Sequence, residues 1–495
     1  MKSILNKSII IVLLLVFTFS CFSLTSCKKT TPQPECEHVD KNDDLLCDKC
    51  KESYDDGKDK TNVTIVDNIS LEELYLLIDA CVPAEVTEDI TLPRGFDESL
   101  AFIYWYSSNQ DAITNGGKVT QTYEDVEVTF RVEIKYSETE IYEREVKTVV
   151  KGIKLKPLTG KKVVFAYLYA SDGYSGINED SLKYVDYINY SFGGVANGVA
   201  IVKESEALRK VLSYRNQGVR VGLALGGWGA DGFSQAVRTA ESRTKFANSI
   251  IKLLREYQFD GIDIDWEYPC SSGGGITSHP SDKNNFTLFC QELYPMIKAY
   301  RSDAILSVAV AASNSSFDFD KLDKCVDYFN LMTYDHSIGD STALHHTNLY
   351  SGTYAKTSAD SAVTKLISWG ASPSKIIIGA AFYGRTAAFT SKDQVKLGGL
   401  LFNTLSKTCS YTEIEANIQS GKYVEMFDEE TQANYIIYTN PNTTGLFITY
   451  DGVQSVTAKC NYVKTKGLAG MMFWEYTQDK NGTLVETIYN ELKEE

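Results

Sequence analysis

The chain has 495 residues, 43% of them hydrophobic, enough to bury more than one core, and its length suggests about three domains. Its 49 basic and 65 acidic side chains give a formal charge of −16, which repels phosphate and argues against a nucleic-acid partner. Five histidines leave little scope for a large multi-histidine metal centre.

The N-terminus reads as an export signal over residues 1–26. Lys2 and Lys7 precede an apolar run from Ile9 to Phe19, too short to span a bilayer. Leu24-Thr25-Ser26-Cys27 resembles the bacterial lipoprotein box, which implies lipid on Cys27, an exported surface protein and membrane contact only through that anchor. No later stretch is long and apolar enough to span a membrane. Residues 27–60 are a polar tether. Within it Cys36, His38, Cys47 and Cys50 have spacings that suit a zinc ion or a disulfide. Asp40, Asn42 and Asp44 alternate like the start of a calcium loop, but its glycine and closing glutamate are missing. Of 11 cysteines, setting aside Cys21 and Cys27 leaves an odd nine, so a complete disulfide framework is not indicated.

Residues 61–157 form a second block. Ser70 to Ala80 has helical periodicity in Leu71, Leu74, Leu77 and Ile78. Short strands are predicted at 89–92, 102–107, 118–121, 126–134 and 145–153, split by turns such as Asn115-Gly116-Gly117. Ile90-Thr91-Leu92-Pro93, Tyr104-Trp105-Tyr106-Ser107 and Gly117-Lys118-Val119-Thr120 resemble bacterial immunoglobulin-like modules, which implies a small β-sandwich. Trp105, on a strand, is read as core.

From 160 to 490 the pattern changes. Apolar runs begin at Lys162, Tyr187, Val219, Gly261, Ile305, Tyr328, Lys375 and Leu468, with helical stretches between them. Eight such runs predict an α/β fold, a (β/α)8 TIM barrel. The connection between the seventh and eighth strands is long, so about 386–466 are expected to form an α+β insertion subdomain.

The fourth run reads Asp260-Gly261-Ile262-Asp263-Ile264-Asp265-Trp266-Glu267. Strand side chains alternate, so Asp263, Asp265 and Glu267 face the barrel interior while Ile262, Ile264 and Trp266 face the helices. Acids on an apolar parallel strand are costly, and neighbours this close cannot all ionise, so at least one pKa must rise. A carboxyl kept protonated near neutrality can act as a general acid. Pro269 ends the run beside Glu267, at the C-terminal rim where barrel sites lie.

This segment resembles the D-G-x-D-x-D-W-E signature of glycoside hydrolase family 18. The likeness extends to Asn189-Tyr190-Ser191-Phe192, Met332-Thr333-Tyr334-Asp335, His345-His346, Phe382-Tyr383-Gly384-Arg385 and Met471-Met472-Phe473-Trp474. It implies a retaining hydrolase of β-1,4-linked N-acetylglucosamine polymers that uses the substrate's own acetamido group as nucleophile, without cofactor or metal. It assigns Glu267 as acid and base, Asp265 and Asp263 as a proton-sharing pair, and Tyr334 as donor to the acetamido carbonyl. It places Trp474, Asp335, Tyr383, Arg385, Tyr167, Trp228, Tyr268 and Phe192 along the substrate cleft of a monomer. Relatives usually carry serine where Ala224 stands, which implies weaker support for the inner aspartate and reduced or pH-shifted activity. Two alternatives stay open: an endo-β-N-acetylglucosaminidase acting on N-glycans or cell-wall glycan, and a non-catalytic chitin-binding protein.

Overall fold

The computed structural model describes residues 69–97, 99–158, 162–170, 174, 176–312, 316–438 and 444–493. The signal segment, Cys27 and the Cys36, His38, Cys47 and Cys50 cluster lie outside the described residues. The chain divides into two units. Among the described residues, one unit holds those up to Val82 with Ile90–Lys118 and Thr129–Val146; the other holds Pro83–Asp89, Val119–Val128 and those from Lys147 on.

The N-terminal elements are α1 (Leu71–Ala80), β1 (Glu85–Val86), β2 (Phe102–Ser107), β3 (Val126–Lys135) and β4 (Ile141–Val150), with sheet order β1-β4-β3-β2. Helix α1 starts at Ser70 because a capping box satisfies its first amides: Glu73 N–H donates to Ser70 Oγ at 3.2 Å and Ser70 N–H to the Glu73 carboxylate at 2.8 Å. Alternation along β2 turns Ile103 and Trp105 inward. Trp105 is 4% exposed, donates Nε1–H to the Pro93 carbonyl at 2.8 Å and meets Phe130 edge-on, which makes it core as expected. The expected strands at 89–92 and 118–121 form no extended ladder. There the Ile90 amide donates to the Gly117 carbonyl at 2.9 Å. Gly117 is required at that point, since its φ is +88° and a Cβ would come within 2.0 Å of the Ile90 oxygen.

The larger unit continues with β5 (Val163–Tyr169), β6 (Tyr187–Ala196), β7 (Val199–Ile201), α2 (Glu206–Ser213), β8 (Arg220–Gly226), α3 (Phe233–Ala236), α4 (Ala240–Tyr257) and β9 (Gly261–Asp265). It proceeds through α5 (Asp282–Tyr300), β10 (Ile305–Ala311), α6 (Phe319–Leu322), β11 (Tyr328–Met332), α7 (Ala359–Ser368), β12 (Ile376–Ala381) and β13 (Tyr383–Ala388). The remainder is β14 (Lys407–Ser410), α8 (Tyr411–Gln419), β15 (Tyr423–Asp428), β16 (Ala433–Tyr438), β17 (Leu446–Tyr450), α9 (Val453–Lys466), β18 (Gly470–Trp474) and α10 (Thr483–Lys493).

Strands β5, β6, β8, β9, β10, β11, β12 and β18 are parallel and close on themselves through β5–β6, giving the expected (β/α)8 barrel. Strand β7 adds an antiparallel hairpin to β6. Between β12 and α9, strands β13 to β17 form a separate antiparallel sheet of order β14-β13-β17-β16-β15 carrying α8, which is the insertion. Serine and threonine caps at Ser205, Thr239 and Ser358 start the helices after turns.

Outward-facing Ile262, Ile264 and Trp266 join the core between strands and helices, where Trp266 stacks on Phe233. Inside, the floor of the barrel is aromatic: Phe165 stacks on Tyr187 with centroids 4.7 Å apart and meets Tyr328 edge-on. Gly222 makes room for this floor, since a Cβ there would lie 1.9 Å from the Tyr187 hydroxyl. The site therefore opens at the C-terminal ends of the strands, above a filled interior.

Candidate active site

Strand β9 ends at Asp265, and Glu267 follows at the mouth. Asp263 is fully buried and saturated with donors. Tyr167 donates to Oδ2 at 2.8 Å, and Ser307 and Asn330 donate to Oδ1 at 2.7 and 3.0 Å. Burial raises its pKa, and these three bonds oppose the rise. Position 224 donates nothing, because Ala224 packs beside Asp263 in the β8–β9 ladder. Support for the inner aspartate comes instead from β5, β10 and β11. Ser307 and Asn330 are site residues that the sequence reading missed. Each is a lone polar residue in an apolar run, and only the cross-strand register shows which acid it faces.

Asp265 is buried just above, and its Oδ1 has no hydrogen-bond partner among the described residues. Burial and the neighbouring Glu267 and Asp263 push its pKa well up. Asp263 accepts three hydrogen bonds while Asp265 Oδ1 accepts none, so of the two the outer carboxyl is the less favoured as an anion. Burial lifts Glu267 to about 7; the Tyr268 hydroxyl, donating at 3.0 Å, pulls the other way, and the Asp335 charge adds to the rise. Burial thus favours the protonated form of all three acids, and hydrogen-bond donors oppose it most at the inner one.

A second cluster faces this column. Asp335 accepts from Tyr383 Oη at 2.8 Å and from Arg385 Nε and Nη2 at 2.7 and 2.6 Å. Burial opposes its ionisation, yet His346 and Arg385 hold the carboxyl below the usual carboxylate range. Tyr334 packs edge-on to Tyr383 and lies against Gly379, where a Cβ would come within 2.6 Å of its ring. Trp474 closes the inner wall, stacked on Phe192 at 5.5 Å and tilted against Tyr167 at 6.0 Å. The peptide bonds Ser191–Phe192, Glu267–Tyr268 and Trp474–Glu475 are cis.

Asp265, Glu267, Tyr268, Tyr334, Asp335, Tyr383, Arg385, Trp474, Phe192, Tyr167 and Trp228 line one cavity of about 600 Å³, so the structure brings together the catalytic and cleft residues singled out from sequence, with Asp263 buried next to them against Tyr167. His336, Ile338, Thr408 and Gln478 also line it. His336 was within reach of the sequence because it follows Tyr334-Asp335; Thr408 enters only through the fold of the insertion. Among the described residues, no group of three or more His, Cys, Asp or Glu side chains is placed to hold a metal ion.

A closed (β/α)8 barrel with a carboxyl column and an apolar, aromatic cleft at its C-terminal mouth defines a glycosidase-type barrel. Residues 163–479 match the glycosyl hydrolases family 18 profile, and the chain belongs to that family. Its barrel is that of a family 18 glycosyl hydrolase. Chitinase A1 of Niallia circulans is 32% identical over 299 residues, covering 55% of this chain and 42% of that protein. A family 18 N-acetylglucosaminidase structure from Paenibacillus barengoltzii is 32% identical with a TM-score of 0.62, covering 67% of this chain and 100% of that one. Chitinase ChiW from Paenibacillus sp. str. FPU-7 is 25% identical with a TM-score of 0.62, covering 83% of this chain and 42% of that one. The matches span 42% and 57% of the first two curated relatives, about half their length.

Proposed function

We propose that the protein hydrolyses β-1,4 linkages between N-acetylglucosamine units of chitin or its oligomers, with retention, through the substrate's acetamido group. The observation that carries this reading is the column Asp263, Asp265, Glu267, with Glu267 poised at about 7 opposite Tyr334 and Trp474 in one cleft. The bound sugar rests on Trp474. Glu267 gives its proton to the glycosidic oxygen as the C1–O bond breaks. The acetamido carbonyl oxygen bonds to C1 from the opposite face, forming an oxazolinium ion. Asp265 holds the acetamido N–H, and Tyr334 donates to its carbonyl oxygen. Water then adds to C1, gives its proton to Glu267 and releases the acetamido group, restoring the β configuration. The insertion supports a long substrate, because it contributes Arg385 and Thr408 to the cleft wall.

The reading extends to the whole chain. An exported, monomeric enzyme anchored by lipid on Cys27, with an immunoglobulin-like module before the barrel in sequence, fits the N-terminal sequence. It also fits the likeness to ChiW, described as cell-surface-expressed. Hydrolysis of a chromogenic chitobioside by wild type and Glu267→Gln tests the enzyme reading. Release of the β-anomer first, followed by proton NMR, tests the mechanism. Equal rates for the two proteins, or an α-anomer, would overturn them in turn.

A further inference from the structure

Trp228 is 67% exposed, the most exposed aromatic side chain lining the cavity. An exposed indole binds a sugar face well only if its rotamer is held. Two loops hold this one. The loop after β9 passes close to its six-membered ring. A Cβ on Gly273 would lie 3.4 Å from Trp228 Cη2, and one on Gly274 3.4 Å from Cε2. Gly274 also has φ +67° and no room toward Gly229, whose backbone N and Cα would sit 3.0 Å from the added carbon. Glycine at 274 is thus what lets this loop lie as a shelf against the ring and Gly229.

The shelf is fixed in turn to the segment that carries Trp228. Thr277 donates its amide to Asp231 Oδ1 at 3.0 Å and its hydroxyl to Oδ2 at 2.8 Å. Asp231 Oδ1 accepts as well from the Gly232 amide at 2.7 Å. Ile276, beside Thr277, is buried in the barrel core and anchors the loop from below. Burial of Asp231 is outweighed by the bonds from Thr277 and Gly232, which keep its carboxyl below the ordinary range, so the acceptor stays charged in mildly acidic conditions.

We propose that the Asp231–Thr277 clamp and the Gly273–Gly274 shelf are a positioning device that fixes Trp228 as a rigid platform for a sugar ring at the cavity mouth. The device makes the site selective for chains long enough to reach that ring. This rests on the function proposed above. Asp231 and Thr277 act through Trp228 and do not touch the reacting atoms.

The test compares Asp231→Ala, Thr277→Val, Thr277→Ser and Trp228→Ala, alone and as Asp231→Ala with Trp228→Ala, on the N-acetylglucosamine hexamer and on a chromogenic chitobioside. Asp231→Ala and Thr277→Val are expected to raise KM for the hexamer about 5- to 20-fold with kcat within about twofold. Thr277→Ser, which keeps the hydroxyl, is expected to stay near wild type. The double variant should be no worse than Trp228→Ala, because the clamp acts only through the ring. Additive losses, or an unchanged KM in Asp231→Ala, would overturn the proposal. A second arm needs no turnover: acrylamide quenching and anisotropy of Trp228, taken as the difference from a Trp228→Phe chain. Asp231→Ala should loosen that signal, and an unaltered signal would overturn the clamp. If wild type cleaves neither substrate, the function proposed above fails, and the fluorescence arm still decides the clamp.

Discussion

Glu267 holds a proton near neutrality because its carboxyl is withdrawn from water and faces the Asp335 charge. In the proposed mechanism the acid form is the competent one, so kcat/KM should fall about tenfold per pH unit above a midpoint near 7. Replacing Glu267 by Gln should lower kcat by about 10²–10⁴-fold, the usual worth of a positioned general acid. A loss below threefold would remove Glu267 from that role. Asp335→Asn takes away one cause of the raised pKa and should move the alkaline limb to lower pH; an unmoved limb would show that burial alone sets it. The same shift bears on stability. An acid whose pKa rises from 4.5 to about 7 on folding leaves the native chain holding a proton that the unfolded chain has lost between those values. Stability is therefore unaffected below 4.5 and falls as pH rises through that window, by an upper bound of about 3 kcal/mol at 1.36 kcal/mol per unit. Glu267→Gln is expected to raise Tm at pH 8 and leave it unchanged at pH 4. A Tm gain equal at both pH values would sink this account.

At the scale of elements, β9 works because its neighbours answer its charges. Ser307 on β10 and Asn330 on β11 reach the same oxygen of Asp263, while Tyr167 on β5 crosses the barrel to the other. Removing one hydrogen bond to a charged, buried acceptor costs about 1–3 kcal/mol. Ser307→Ala should therefore reduce kcat/KM about 5- to 100-fold and alter the pH–rate profile, whereas Ala224→Ser, beside an already saturated carboxylate, should change it less. Equal profiles for the two variants would mean that the donor count around Asp263 does not matter. The eight strands were legible because both faces of a parallel strand are buried, which writes each as an apolar run; the observed strands start within two residues of the runs read from sequence. The acids were legible because they break such a run at every second position. The donors were not, since one serine or asparagine in a run carries no mark of the strand it faces. The clamp on Trp228 was equally hidden, because it joins two loops 46 residues apart.

For the whole molecule, the formal charge of −16 is spread over a chain in which burial pushes the acids of the column toward their neutral forms and Arg385 answers the Asp335 charge. Long-range fields steer only charged ligands and are screened within about 8 Å at physiological salt. A neutral N-acetylglucosamine chain gains nothing from that field and loses nothing to it. On the proposed function, its recognition would rest on the rings of Trp474 and Trp228 and on the polar groups that line the cleft. Anionic cell-wall glycan would instead be repelled at low salt, and its capture would improve as salt screens the surplus. Values of kcat/KM measured between about 20 and 500 mM salt separate these cases. For neutral hexamer the expected change is under twofold, and for an anionic glycan the rate should rise with salt. A steep salt dependence on the neutral hexamer would show that the surface charge takes part in binding after all, and the division between a solvating surface and a working column of three acids would have to be abandoned.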